Sequence, residues 1–197
     1  MNMKSKEKHS EKLILNLGCG EQTYGDVRVD FYRGKANVLA DAQQSLPFKN
    51  DIFDQVYSRC FFEHLKNPSI HLNEAVRVLK PGGKIIIITD NAAYIPFHLP
   101  TKFGSGCHSL VGYKGASTLD KHYALYTIEH IKNHLLDQNL RINAIRYVYS
   151  SDVGCCGGPI QIITRFLSLS TILPVLNPFF HPHILAVSTK SLEKRGK

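Results

Sequence analysis

Four consecutive isoleucines, Ile85–Ile88, stand directly behind a Lys80-Pro81-Gly82-Gly83 break. A strand with no polar face must be covered on both sides, which is the environment of a parallel sheet between helices. The break ends a helix. Asn67 and Pro68 suit its cap and first position, and Ile70, Ala75, Val76 and Leu79 recur at helical spacing behind them. Helix, glycine break and buried strand in succession point to an α/β domain. Short apolar or alternating runs predict further strands at 12–17, 26–30, 37–40, 54–58, 141–149 and 183–189, with the isoleucine strand at 84–89. A second helix is expected after Thr127, with Ile128, Ile131, Leu135 and Leu136 on one face.

At 197 residues the chain fits a single domain, 1–197, with a sizeable core. Three parts depart from the strand–helix pattern. Residues 1–12 are polar and basic, as in a flexible tail. Residues 90–123 mix glycine, serine, histidine and aromatics without periodicity, as a lid or substrate segment would. Residues 150–182 form an apolar insertion whose core, Ile160–Leu173, is expected to be a helix. Gln161, Arg165 and Pro174 interrupt it, so it is too short and broken to span a bilayer, although it leaves room for peripheral membrane contact. The formal charge of +8 is concentrated at the ends: residues 1–12 carry +2 and residues 188–197 carry +3, which leaves +3 for the body. That modest charge does not favour a large nucleic-acid footprint, and no RNA-binding module is visible. Five scattered cysteines and a polar N-terminus without a secretory signal suggest reduced thiols and a cytoplasmic setting.

The stretch most suggestive of chemistry is LILNLGCGEQTYGDVRVDF, residues 13–31. Gly18 and Gly20 leave the end of a central strand, where open α/β sheets bind ligands. Without a Cβ, glycines let the backbone approach a ligand closely. Asp30, closing the next strand, can accept both hydroxyls of a ribose. Asp41, closing the third, stands where the base of a nucleoside would lie. The third glycine of a dinucleotide fingerprint is absent, and six residues between Gly20 and Val27 leave no room for a phosphate-binding helix. A cofactor with a ribose and base but no diphosphate fits better than a nicotinamide dinucleotide. The short first crossover is expected to be a single helical turn.

These residues, with ADAQQSLPFKNDIFDQVYSRCFFEHL (40–65), RVLKPGGKIIII (77–88) and HYALYTIEHIKNHL (122–135), resemble the class I S-adenosylmethionine-dependent methyltransferases, in particular the type 11 group. The likeness covers roughly residues 12–150 plus the final strand. It implies a Rossmann-like three-layer α/β sandwich with a mostly parallel seven-stranded sheet and an antiparallel last strand. It implies S-adenosyl-L-methionine as cofactor. Gly18, Cys19 and Gly20 would line its methionine side, Asp30 would bind its ribose and Asp41 with Ala42 would meet its adenine, with Asn16 and Phe31 also among the cofactor-binding residues. Ser58 and Arg59 would lie beneath it, and Glu63 and His64 would stand near the methyl group or the substrate mouth. Where the acceptor must lose a proton, His64 is the first candidate base and Glu63 the second, because histidine titrates near neutral pH. Asn16 stands where the family usually has an acid, and Gln22 where it has a third glycine.

The acceptor is expected to be a small molecule or a sugar or lipid intermediate. The second reading is a non-catalytic methyltransferase-like partner module. His98, Cys107, His108 and His122 have no zinc-site spacing, and no metal is assigned.

Overall fold

The computed structural model describes residues 12–98, 121–149, 165–168 and 174–192. Seven strands form one sheet: β1 (Ile14–Leu17), β2 (Val27–Asp30), β3 (Val38–Leu39), β4 (Phe53–Arg59), β5 (Leu79–Asp90), β6 (Leu140–Val148) and β7 (His183–Lys190). Their order is β3-β2-β1-β4-β5-β7-β6. The first five pair in parallel, and β7 runs antiparallel between β5 and β6. The expected mostly parallel α/β sheet with an antiparallel last strand is what forms.

Register explains one face of the core. Leu15, Val56, Ile85 and Ser188 are successive partners across four strands, and all are at most 2% exposed. Leu72, Ala75 and Val76 of α1 (Pro68–Val78) and Ile131 and Leu135 of α2 (Ile128–Asp137) close over that face. Each large side chain buried there contributes about 1.5–3 kcal/mol. Helix α2 starts with a capping box: Thr127 Oγ1 accepts from the His130 amide, and His130 Nδ1 accepts from the Thr127 amide.

The opposite face carries the row Asn16, Tyr57, Ile86 and Val187. Here the first crossover differs from expectation. Residues 18–26 contain no helix. Gly18, Gly20 and Gly25 all take positive φ and turn the chain within nine residues. The crossover instead lays one tyrosine on the sheet. The Tyr24 ring meets Tyr57 edge-on at 4.7 Å, its hydroxyl accepts from Gln55 Nε2 at 2.7 Å, and its carbonyl accepts from Asn16 Nδ2 at 3.0 Å.

Two other boundaries move. β3 is only two residues long. β5 starts at Leu79 rather than Lys84, because the Lys-Pro-Gly-Gly turn lies inside the strand as an irregularity: Phe53 pairs with Leu79 and Gln55 with Lys84, so the intervening residues loop out, with Gly82 at φ +77°. Of the helix expected at 160–173 only 165–168 is described. That turn is helical and leaves Phe166 72% and Leu167 41% exposed. The rest of that segment, the 1–11 tail, residues 99–120 with Cys107 and His108, and Cys155-Cys156 lie outside the described residues. No helix among the described residues is long and apolar enough to cross a membrane.

Candidate active site

The carboxyl ends of β1, β2 and β4 open onto a cavity of about 770 Å3. That is the size of a small-molecule site, at the sheet end where α/β folds bind ligands. Nine of the twelve residues expected from the sequence line it: Gly18, Cys19, Gly20, Asp30, Phe31, Asp41, Ala42, Arg59 and His64.

The glycine turn is built by two different constraints. Gly18 has φ +69°, and a Cβ there would stand 2.1 Å from the Phe61 ring. Gly20 has φ +49°, but no atom lies within 4 Å of where its Cβ would be. The first glycine is needed for packing and the second for an open cavity wall. Asp30 ties this turn to the next strand: Oδ2 accepts from the Gly20 amide at 2.8 Å and Oδ1 from the Tyr32 amide at 2.9 Å. A carboxylate offers about four acceptor positions, so roughly two remain for hydroxyl donors from a ligand. Asp41 is arranged in the same way, with Oδ1 accepting from the Gln43 amide at 2.8 Å and Oδ2 from Gln44 Nε2 at 3.2 Å. Beneath it, the Ala42 carbonyl accepts from Nδ1 of buried His71 at 3.3 Å. Burial holds His71 down at about 4, so at neutral pH it is an uncharged donor.

Cys19 is fully buried and reduced, and desolvation together with the Asp30 carboxylate pushes its thiol up to about 11. It is no nucleophile at neutral pH. His64 stands at the mouth. Its Nδ1 lies 3.1 Å from the Lys121 carbonyl, so a neutral ring donating there presents Nε2 as the acceptor. Its ring centroid is 4.3 Å from that of His122, whose Nδ1 lies 3.3 Å from Asp90 Oδ2.

Three expected residues do not line the cavity. Asn16 is wholly buried on the far face beside Tyr24. Ser58 points into the helix-covered core at 2% exposure. Glu63 is 1% exposed, and its Oε2 accepts from Thr89 Oγ1 at 2.8 Å. Burial, with Asp90 nearby, pushes Glu63 up to about 7. Conversely, Tyr32, Gln43, Phe61, Lys66 and Lys121 line the cavity without having been singled out. Each is within two residues of a predicted site residue except Lys121, which the irregular 90–123 segment carries. Tyr123 from that segment also lines the cavity, with Lys66 Nζ 5.5 Å from its ring centroid. Tyr94 of the same segment is 2% exposed and packs against Phe97.

Residues 21–87 match the family described as Methyltransferase domain. A demethylmenaquinone methyltransferase of Clavibacter sepedonicus is 40% identical over 72 residues, 36% of this chain and 26% of that protein. The chain thus matches only about a quarter of that relative's length. Among solved structures, a SAM-dependent methyltransferase of Thermotoga maritima superposes with TM-score 0.61 at 14% identity, over 92% of this chain and 84% of that one. The geranyl diphosphate C-methyltransferase of Streptomyces coelicolor, solved with S-adenosyl-L-homocysteine, gives 0.57 at 11% identity, over 91% and 72%. Identities this low establish the shared fold alone.

Proposed function

We propose that this chain, which carries a methyltransferase domain on the fold of the class I S-adenosylmethionine-dependent methyltransferases, binds S-adenosyl-L-methionine in the cavity and methylates an acceptor beside His64. The observation that carries the reading is the Asp30 carboxylate, bonded to the glycine turn on one side and to Tyr32 on the other. Its unused acceptor positions suit a ribose diol. Gly20 leaves the wall open for the methionine side, and Asp41 with Ala42 would border the adenine. The bound cofactor would supply a methyl group activated on a sulfonium. The residues of this chain do the rest. They hold the partners in line, and His64 Nε2 takes the acceptor's proton where it has one to lose.

The cavity suits a small molecule, or a sugar or lipid intermediate, as acceptor, and the chain is one domain with residues 90–123 and 150–182 selecting it. The second reading, a non-catalytic partner module, is favoured by Asn16, whose side chain serves Tyr24 rather than the cavity. One titration separates the two. Calorimetry with S-adenosylmethionine, S-adenosylhomocysteine and NADPH gives saturable binding of the first two and none of the third if the reading is right. Absence of all three favours the partner module, and binding of NADPH alone points to a reductase.

A further inference from the structure

Beside the cavity, the same end of the sheet gathers a second set of chemically potent side chains. Cys60 follows β4, Asp90 ends β5 and His183 begins β7. Because β7 is antiparallel, Asp90 and His183 are direct cross-strand partners, and the Cys60 amide donates to Ile88 in the same strand as Asp90. Cys60 has φ +49°, a left-handed backbone that a β-carbon makes costly and that tends to persist at functional sites. One donor atom from each of the three side chains lies within 4.8 Å of the other two.

The His183 ring is the second observation. It is 1% exposed, and neither ring nitrogen makes a hydrogen bond. A buried imidazole always has at least one N–H and usually one lone pair to satisfy, and leaving them unmet costs about 1–3 kcal/mol. Nε2 is aimed at Asp90 Oδ1 from 3.7 Å, too far for a hydrogen bond. That spacing suits two ligands of one ion better, since donors about 2.0–2.3 Å from a tetrahedral metal lie roughly 3.3–3.8 Å apart.

We propose that Cys60, Asp90 and His183 form a metal site for Zn2+ or a similar borderline-soft divalent cation. A thiolate, an imidazole and a carboxylate are the donor set of zinc rather than of magnesium or calcium. The Asp90 carboxylate also faces the His122 ring, whose Nδ1 lies 3.3 Å from Oδ2. Closure of the donors by about 1 Å completes three protein ligands. Of the three, Cys60 also lines the cavity, so an ion could enter from there and an open fourth position would lie on that side. On the methyltransferase reading, that position would receive an oxygen or sulfur atom of the acceptor. The metal site itself does not depend on that reading.

The test uses the metal alone. Purified full-length protein, stripped with chelator, is titrated with Co2+ and followed by its thiolate-to-cobalt charge-transfer band, then with Zn2+ in competition. The expected result is one Co2+ per chain with the band present, displaced by Zn2+. Cys60→Ala abolishes the band, and His183→Gln weakens binding by at least the ~10–100-fold typical of losing even an outer partner. Both variants are checked for a cooperative thermal transition, and Zn2+ raises the Tm of the wild type but not of Cys60→Ala. No stoichiometric Co2+ binding by the wild type overturns the proposal. So does an unchanged band in Cys60→Ala, which would put the thiolate ligand elsewhere in the chain. S-adenosylhomocysteine binding measured on the same metal-free protein fails or succeeds independently, so the two readings are told apart.

Discussion

The two cavity glycines share a positive φ but not a neighbourhood, and substituting each by alanine separates the causes. Gly20→Ala meets no atom within 4 Å, so its cost is the left-handed backbone alone. That is about 1–2 kcal/mol, partly offset by about 0.4–1 kcal/mol from a less flexible unfolded chain, for a net loss near ~1 kcal/mol. Gly18→Ala carries the same backbone cost and also puts a methyl 2.1 Å from the Phe61 ring. Phe61 cannot retreat freely, because it sits edge-on to buried His71, with 5.5 Å between ring centroids. Overpacking of this kind costs a further ~1–3 kcal/mol, which brings the total to roughly 2–4 kcal/mol. Urea unfolding monitored by circular dichroism reads both. Gly18→Ala should be the less stable, and its displaced Phe61 should distort the cavity. Gly20→Ala should fold nearly normally yet bind the cofactor poorly, because its methyl enters the open wall. Equal stability of the two variants would mean that the Phe61 ring gives way to the added methyl at no cost.

Asp30→Ala removes a carboxylate expected to accept two hydroxyl hydrogen bonds worth about 1.5–3 kcal/mol each, so S-adenosylhomocysteine should bind roughly 100-fold more weakly or worse by calorimetry. Affinity within a factor of about two of wild type would remove Asp30 from the ribose site. Buried His71 predicts an acid sensitivity. Its folded value of about 4 lies below the ordinary 6.5, so the unfolded state takes up the proton first, and stability is full above 6.5 and falls as the pH drops toward 4. The loss approaches about 3 kcal/mol. His71→Gln, which keeps a donor for the Ala42 carbonyl, should flatten that part of the stability–pH curve relative to wild type, and an unchanged slope would show that His71 is not responsible.

What could be read from the chain is the part written in local pattern. The isoleucine run, the glycine break and the capped helices specify strands and helices through nearest-neighbour chemistry, and the acids closing β2 and β3 were recognisable because strand ends in such sheets face one side. The first crossover is not legible in the sequence, because its conformation is set by a long-range partner: Tyr24 replaces a helix by packing on Tyr57 and Gln55, residues of β4. Asn16, Ser58 and Glu63 were assigned by their place in a motif. Whether such a side chain meets the cavity or the core depends on strand alternation and on partners such as Thr89. The cluster of Cys60, Asp90 and His183 has no spacing signature at all, because it is assembled from three strand ends up to 123 residues apart by the antiparallel insertion of β7.

A crystal structure of the protein soaked with S-adenosyl-L-homocysteine would show whether one cavity holds one cofactor in one orientation. The expected arrangement has ribose hydroxyls within hydrogen-bond distance of Asp30, the adenine beside Asp41 and Ala42, and the sulfur directed toward the His64 side of the cavity. A ligand seated elsewhere, or one whose ribose faces away from Asp30, would contradict it.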